Sequence, residues 1–398
     1  MALLVEDFEK GKYSEQADLF RRIRDEAKDV KIKTALGKGS GTDTRDPKTL
    51  VRHQPEKAVT ADFAAFDPRE QMIGNTGDIL TAETFEIGML VRRMVVQIKK
   101  PNGKNATGFF VGKDLMMTNN HVIRSQADAD LCQIVCGNVE CFYTPDARYF
   151  SFLRCDAKSF FFTDEKLDLT VIAVHDPREN PPEDAPTVAD YGYLPLIEAQ
   201  GKAVHGDPLN VIHYPQGLPC RVTMHNGHLI YLEDKTELDP YFWHTCDTLK
   251  GSSGAPVMNR MWEVVGLHSS GVPDTNTKGE VLDKNGKPIS EDRFRRDPDA
   301  VNWIANQGTR ASRIVRALRE ADLDDDMSTR RDGLLELWEQ PNASLHGLRQ
   351  TQAATARIMQ PSPSHQTPTP SSPNQPTDLP RPTDDPQGPI DTFEDRDD

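Results

Sequence analysis

The amino-acid sequence predicts an all-β body between a partly helical N-terminal extension and a disordered C-terminal tail. Three observations carry this prediction. Short apolar runs recur between turn residues, the 398 residues include 26 glycines and 29 prolines, and no long helical period occurs between residues 130 and 300. Short strands at such close spacing are typical of β-sandwiches and barrels. The length allows two or three packed units.

The extension covers residues 1–80. A helix is predicted over 14–30, where apolar residues fall at helical spacing: Ala17, Phe20, Ile23 and Ala27. Residues 34–62 are polar and predicted to be flexible. Their run Gly37–Gly41 lacks the Gly-Lys-Ser/Thr ending of a phosphate-binding loop, which argues against a nucleotide site. A short helix is expected near 81–90.

Strand patterns begin at Arg92 and are expected at residues 94–98, 108–112, 115–118, 131–136, 159–163, 169–174, 209–214, 221–232, 241–246, 255–258 and 262–268. A terminal helix is predicted over 309–320 and a second short helix at Gly333–Glu339. The linker and tail cover 321–398. Ten prolines and many Ser, Thr and Asp residues fall in 361–398, so this part buries too little apolar surface to fold.

The charge and the termini exclude several function classes. The net charge of -15 argues against a nucleic-acid partner, because the phosphate backbone demands a basic surface. The first ten residues lack the basic start and long apolar centre of a secretory signal, and no stretch reaches the ~20 apolar residues of a membrane span. We therefore expect a cytoplasmic protein with no membrane partner.

Six cysteines are present, four of them close together: Cys132, Cys136, Cys141 and Cys155. Their gaps do not form paired C-x-x-C motifs, so a zinc site competes with the simpler interpretation as small apolar residues in strands. Disulfides are not expected without export. We expect neither a metal nor a cofactor.

The most informative motif is the stretch Gly251–Pro256, which contains Ser253 within Gly-x-Ser-Gly. Glycines permit a tight turn that exposes one hydroxyl. They also leave the N–H groups of Gly251 and Ser253 free to point at one spot, where an oxyanion is stabilised.

Two other residues complete a candidate catalytic set. His121 follows a predicted strand and the turn residues Asn119 and Asn120, and Asp168 directly precedes the apolar run 169–174. A serine hydroxyl needs an imidazole to take its proton, and that imidazole needs a carboxylate on its other nitrogen. Asp164 and Asp176 are the alternatives for the carboxylate. The histidines at 205, 213, 225, 228 and 244 show no metal-type spacing.

Five sequence blocks, in this order, resemble the chymotrypsin-like serine proteases: Gly-Phe-Phe-Val-Gly, Thr-Asn-Asn-His-Val, Asp-Leu-Thr-Val-Ile, Gly-Ser-Ser-Gly-Ala-Pro-Val and Val-Val-Gly-Leu-His-Ser-Ser-Gly. The resemblance runs from about Arg92 to Leu318, within a protease domain at 81–320. It implies two six-stranded antiparallel barrels, over about 91–185 and 190–308, with a cleft between them. His121 and Asp168 would come from the first barrel and Ser253 from the second.

The closest resemblance is to the bacterial glutamyl-endopeptidase branch, which implies a substrate pocket formed by Thr248 and His268 for an acidic side chain. The backbone at Ser269 and Ser270 would pair with the substrate. Asp247 offers an alternative, because basic-specific members of the family carry their selecting aspartate at that place, six residues before the nucleophile. A pocket that uses Asp247 would prefer Lys or Arg.

The sequence also departs from the family pattern. Ser252 stands where the digestive enzymes have the aspartate that binds a newly cut N-terminus. Val122 and Leu249 stand where the family's usual cysteines would be, which fits a reducing compartment.

Together these features predict a serine endopeptidase that acts on proteins or peptides, a regulated intracellular effector. Residues 1–80 are the candidate contact for an adaptor or regulatory partner. The alternative is a catalytically idle binding module that keeps the protease fold.

Overall fold

The computed structural model describes residues 80, 82–101, 103–138, 151–179, 186–198, 202–232, 239–340 and 343. The predicted helix over 14–30, the polar segment 34–62 and the tail 361–398 lie outside the described residues.

The first half of the described chain forms a closed, six-stranded antiparallel barrel, as predicted. Its strands are β1 (Val95–Lys99), β2 (Asn105–Phe110), β3 (Leu115–Thr118), β4 (Gln133–Cys136), β5 (Ser151–Asp164) and β6 (Leu169–His175). They follow the order β1-β2-β3-β6-β5-β4, and β1 pairs with β4 to close the ring. Closure leaves no unpaired edge. The loops that follow β3 and precede β6 therefore meet at one end of the barrel.

The second half forms a seven-stranded sheet. Its strands are β7 (Asn210–His213), β8 (Arg221–Thr223), β9 (Leu229–Leu232), β10 (Tyr241–His244), β11 (Pro256–Met258), β12 (Val264–Pro273) and β13 (Trp303–Arg310). The order is β8-β7-β11-β12-β13-β10-β9. Within the described residues this sheet is a half-barrel, which agrees with the predicted mostly β fold of two antiparallel units, although no continuous ladder closes the second unit.

Two local features explain this difference. The run predicted as one strand over 221–232 is split by a turn in which His225 has φ +78°, so β8 and β9 are separate strands. An isolated bridge between Pro208 and His228 brings the start of β7 beside the start of β9 without a continuous ladder. The bridge thus joins the chain before β7 to the chain before β9, although these strands are not neighbours in the order of the sheet.

Strand β13 was not predicted. Its sequence Trp-Ile-Ala-Asn-Gln-Gly-Thr-Arg carries too many polar residues for a hydrophobic pattern, yet it pairs with β12 on one side and β10 on the other. Strand β5 is also much longer than the predicted 159–163, and its register with β6 shifts between Asp156 and Phe161. Pairing with neighbouring strands thus created strand structure that the local pattern does not indicate.

Five helices occur in the described residues: α1 (Glu83–Met94), α2 (Gln126–Asp130), α3 (Glu291–Arg296), α4 (Ala311–Glu320) and α5 (Asp325–Glu339). Helix α1 extends four residues beyond the predicted end. Helix α4 matches the predicted terminal helix. Helix α5 starts eight residues before the predicted Gly333, because the Asp324 side chain caps it by accepting the N–H of Met327. None of the helices described is long and apolar enough to cross a membrane.

One apolar core spans the barrel and the sheet. Met117 and Leu169 of the barrel pack in the same buried cluster as Tyr214 and Leu267 of the sheet. The Tyr214 hydroxyl also donates to the carbonyl of Val95 at 3.2 Å. This shared core fixes the barrel against the sheet, and so it fixes the loops that meet at their boundary.

Candidate active site

The three predicted catalytic residues lie on loops at the boundary between barrel and sheet. His121 follows β3, Asp168 directly precedes β6, and Ser253 lies in the turn before β11. Strands β3 and β6 are neighbours with Thr118 opposite Thr170, so the loops that carry His121 and Asp168 are adjacent.

His121 and Asp168 form a two-point contact. The ring Nδ1 of His121 lies 2.8 Å from Oδ2 and 3.0 Å from Oδ1 of Asp168, and the backbone N–H of His121 donates to Oδ1 at 3.0 Å. Because a carboxylate only accepts hydrogen bonds, this contact assigns the ring proton to Nδ1. The other nitrogen, Nε2, then keeps a free lone pair.

Asp168 is held in a specific and unusual conformation. It is 4% exposed, and its φ of +51° lies in the left-handed region that Asp and Asn tolerate best among residues with a Cβ. The buried side chain of Asn119 donates to the Asp168 carbonyl at 2.9 Å. This turn aims the carboxylate at His121 instead of at solvent.

The pKa of Asp168 is lowered although the group is buried. Burial alone raises the pKa of the carboxyl, but the nearby His121 and three hydrogen bonds lower it further than burial raises it. The donors are the His121 ring, the His121 N–H and the Ser269 hydroxyl, which lies 2.5 Å from Oδ2. Asp168 is therefore a carboxylate at neutral pH.

The two alternative aspartates serve other contacts. Asp164 accepts the N–H of Leu167 at 2.9 Å, and Asp176 pairs with Arg178. Of the three candidates, Asp168 is the one that contacts His121.

Ser253 is linked to the pair through Ser269. The Ser253 hydroxyl donates to the Ser269 carbonyl at 3.4 Å, a long contact for an O–H donor. Among the hydrogen bonds of the described residues, Ser253 Oγ makes none with His121. Catalytic hydrogen bonds are often long or poorly aligned in unliganded proteins and tighten on substrate binding. Ser269 thus contacts Ser253 through its carbonyl and Asp168 through its hydroxyl, and Asp168 in turn contacts His121.

The turn that carries the candidate nucleophile Ser253, residues 250–254 (the nucleophile turn), faces two of its amides to one side. Gly251 has φ +98°, and a Cβ there would lie 2.6 Å from the Tyr214 carbonyl, so only glycine fits. The four carbonyls of the turn accept protein donors: Lys250 from the N–H of Gln216, Gly251 from the Thr107 hydroxyl at 2.7 Å, Ser252 from the N–H of Ala255 at 3.0 Å, and Ser253 from the N–H of Thr107 at 2.9 Å.

This pattern leaves the predicted oxyanion donors free. A peptide C=O and the following N–H point in opposite directions, so a carbonyl fixed towards the protein fixes the next N–H away from it. In the described part of the chain, the N–H groups of Gly251 and Ser253 donate to no acceptor. Thr107, which the sequence did not single out, holds two of these carbonyls from the barrel side.

The predicted pocket residues are distributed as follows. His268 is 3% exposed on β12, and its Nδ1 has no partner in the described residues. The Thr248 hydroxyl donates to Asn306 on the adjacent strand β13 at 2.9 Å. Asp247 is exposed, and its carbonyl accepts the Thr223 hydroxyl.

Ser269 and Ser270 differ from each other. Ser270 pairs with Gln307 in the sheet, while Ser269 turns its hydroxyl to Asp168. The contact between Ser269 and Asp168 joins residues 101 apart in the chain, and no sequence signal indicates it.

The cysteines lie apart from this site. Cys132, Cys136 and Cys155 are free thiols in the barrel core, and burial raises the pKa of each, to about 11 for Cys132. A metal ligand must be a thiolate, which this environment disfavours. In the ranges that the structure describes, no group of three or more His, Cys, Asp or Glu side chains is arranged to hold a metal ion. Cys141 lies outside these ranges.

Part of the chain matches a known protein family. Residues 106–267 match the family model of the trypsin-like peptidase domain. An uncharacterized protein of Sinorhizobium fredii, y4fB, is 31% identical over 293 residues. That match covers 69% of this chain and 43% of the relative, so the chain spans less than half of the relative's length.

Similar solved structures include the inactive form of the Rv3671c protease, with 17% identity, a TM-score of 0.35, and coverage of 58% of this chain and 90% of that one. Another is a serine endoprotease from Yersinia pestis, with 14% identity, a TM-score of 0.37, and coverage of 65% and 68%. The family match supports a trypsin-like serine protease fold. The glutamyl-endopeptidase branch stays a prediction.

Proposed function

We propose that this protein is a serine endopeptidase in which Ser253, His121 and Asp168 act together. Ser253 Oγ attacks the peptide carbonyl carbon while its proton passes to Nε2 of His121. The carbonyl π-electrons move to oxygen, and the N–H groups of Gly251 and Ser253 hold the resulting oxyanion. The oxyanion collapses, the C–N bond breaks, and His121 gives its proton to the leaving amine. Water then hydrolyses the acyl-enzyme by the same steps.

The contact network around Ser269 is the observation that carries this proposal. Its hydroxyl stabilises the Asp168 carboxylate, and its carbonyl receives the Ser253 hydroxyl. Ser269 thus contacts both Asp168 and Ser253, and Asp168 orients His121. The Asp168 carboxylate is buried and ionised, and because burying a charge is costly unless it is paired, its contacts with His121 and Ser269 are needed to keep it there.

A fluorophosphonate probe tests the proposal, because it reacts with activated serine hydroxyls. We expect labelling of the wild-type protein and none of Ser253→Ala. Ser290→Ala serves as the matched control, since Ser290 is exposed at the start of α3. Absence of labelling in wild-type protein whose folding is verified by circular dichroism would instead favour the idle binding module.

We further propose that the enzyme cleaves after acidic residues. His268 supports this specificity, because it offers an unpartnered ring nitrogen in a buried setting beside β13. Among the described residues, the groups with a resolved electrostatic effect on it are His244, His213 and His121, and none of these is a carboxylate. A substrate carboxylate would therefore meet a donor without a competing anion. The exposed position of Asp247 argues against its use as a buried selector for Lys or Arg.

Cleavage profiling on a peptide library tests the specificity. We expect His268→Ala to lose cleavage after Glu and Asp, and Asp247→Ala to keep the wild-type profile. A wild-type preference for Lys or Arg that disappears in Asp247→Ala would replace this proposal with the basic alternative.

The remaining proposals concern cellular context. We propose that the enzyme is cytoplasmic, which fits the free thiols of all five described cysteines. We also propose that residues 1–80 restrain its activity. Removal of residues 1–80 should change the rate of probe labelling. An unchanged rate would contradict a regulatory role for this segment.

A further inference from the structure

A continuous chain of hydrogen bonds lies beneath the nucleophile turn. Ser252 is 0% exposed and His213, on β7, is 4% exposed. The Ser252 hydroxyl lies 2.8 Å from Nδ1 of His213 and also accepts the N–H of Leu249 at 3.1 Å. On the other side of the ring, Nε2 lies 3.3 Å from the Thr223 hydroxyl on β8, which donates to the Asp247 carbonyl at 2.9 Å.

The direction of each bond in this chain is determined. A carbonyl only accepts, so the Thr223 proton goes to Asp247 and the Thr223 oxygen accepts from Nε2–H. His213 then has a bare Nδ1, which accepts the Ser252 proton. Each group along the chain therefore has a partner, but only with a neutral His213 in this tautomer. Burial keeps the ring neutral, because desolvation lowers its pKa to about 4.

The chain ends at the residue between the two oxyanion donors. Ser252 is bonded covalently to Gly251 and Ser253, so a fixed Ser252 side chain restricts rotation of both neighbouring peptides. The carbonyl contacts of the turn hold it from the barrel side through Thr107. The contact with His213 holds it from the sheet side. The turn is thus fixed between two independent anchors.

We propose that His213 is a positioning residue that holds the oxyanion hole in its donating arrangement through Ser252. This inference rests on the proposed function, since it assigns a purpose to the turn that carries Ser253. In the described residues, the hydrogen bonds of the His213 ring are with Ser252 and Thr223 and not with Ser253 or His121. His213 acts on the transition state alone, because the two N–H groups matter most when the carbonyl oxygen becomes negative.

A double-mutant cycle tests whether His213 acts through Ser252. His213→Leu should lower kcat for a peptide substrate by about 10²-fold, the scale of losing one oxyanion donor, with KM nearly unchanged. Ser252→Ala should cause a loss of similar size. The double variant should lose no more than the worse single variant, because both changes break the same bond. Additive losses would overturn the proposal.

Two conservative variants separate positioning from folding. His213→Asn places an amide oxygen near the position of Nδ1, so it should restore most of the kcat that His213→Leu loses. Thr223→Val breaks only the far end of the chain and should cause a smaller decrease. His175→Leu is the control, because His175 is exposed at the end of β6. If Asn rescues no better than Leu while both melt at the wild-type temperature, His213 has no positioning role.

Amide hydrogen exchange gives a readout that needs no activity. Exchange in a peptide covering 249–255 should be faster in His213→Leu than in wild type, and near wild type in His213→Asn. If the wild-type protein fails to react with the fluorophosphonate while exchange still follows this order, the proposed function fails and the positioning of the turn stands. Exchange that is unchanged in His213→Leu would overturn the inference on its own.

Discussion

Four histidines lie around the candidate site, and the one on the barrel has different surroundings from the three on the sheet. His121, on a barrel loop, faces the carboxylate of Asp168. The sheet contributes His213, His244 and His268, all at most 4% exposed. In the described residues, His213 bonds to two hydroxyls, and both ring nitrogens of His244 have no partner.

The difference shows how surroundings decide what an imidazole can do. On the barrel side, the carboxylate of Asp168 lies 2.8 Å from Nδ1 of His121 and orients the ring. On the sheet side burial lowers the pKa of His213 to about 4 and of His244 to about 3, and that of His268 well below its usual value. The barrel thus holds an imidazole against a carboxylate, and the sheet holds buried, neutral rings.

The variant with the largest expected effect on this comparison is Asp168→Asn. An amide NH₂ facing Nδ1 would force the His121 proton onto Nε2. Nε2 could then no longer accept the proton of Ser253. We expect kcat to fall by about 10⁴-fold in a peptide hydrolysis assay, with the fold intact because Asn tolerates the left-handed backbone. Asp164→Asn is the matched control and should retain activity. Equal losses in the two variants would contradict the special role of the carboxylate beside His121.

Acid stability tests the neutral histidines. The folded-state pKa of His213 is about 4 against 6.5 in the unfolded chain, so the unfolded state binds more protons between these pH values. The contribution of neutral His213 to the free energy of unfolding is therefore fully present above pH 6.5 and is lost as the pH falls towards 4. The loss should be on the order of 3 kcal/mol for His213, with a further part from His244. Urea unfolding at pH 7 and pH 4.5 measures it, and equal free energies at both would refute the assignment.

Local patterns were enough to predict the mostly β fold, and they singled out His121, Asp168 and Ser253, whose catalytic role stays a prediction. Each of these residues lies beside a clear strand or glycine turn, so sequence neighbours signal it. The bond between His213 and Ser252 spans 39 residues and depends on how β7 lies against the nucleophile turn. Nothing near His213 in the sequence distinguishes it from the other histidines that show no metal-type spacing.

The architecture of the second half shows the same limit. The split at His225 depends on one left-handed residue within an otherwise strand-like run. Strand β13 forms because β12 and β10 offer it hydrogen-bonding partners on both sides, although its own residues are polar. Pairing between distant segments decided both features, and local sequence patterns do not indicate which distant segments will pair.

The smallest expected effect comes from His244→Leu. Both His244 nitrogens are buried without a partner in the described residues, so the folded state bears a desolvation cost that an apolar side chain of similar size removes. We expect the free energy of unfolding at pH 7 to rise by about 1 kcal/mol. The decrease in this free energy between pH 7 and pH 4.5 should become smaller. His213→Leu should change stability in the opposite direction, because it leaves the Ser252 and Thr223 hydroxyls unmatched. Parallel urea titrations of the two variants compare these signs. If both variants are destabilised equally, His244 makes a stabilising contact comparable to that of His213, and burial alone does not explain the lowered pKa values of the sheet histidines.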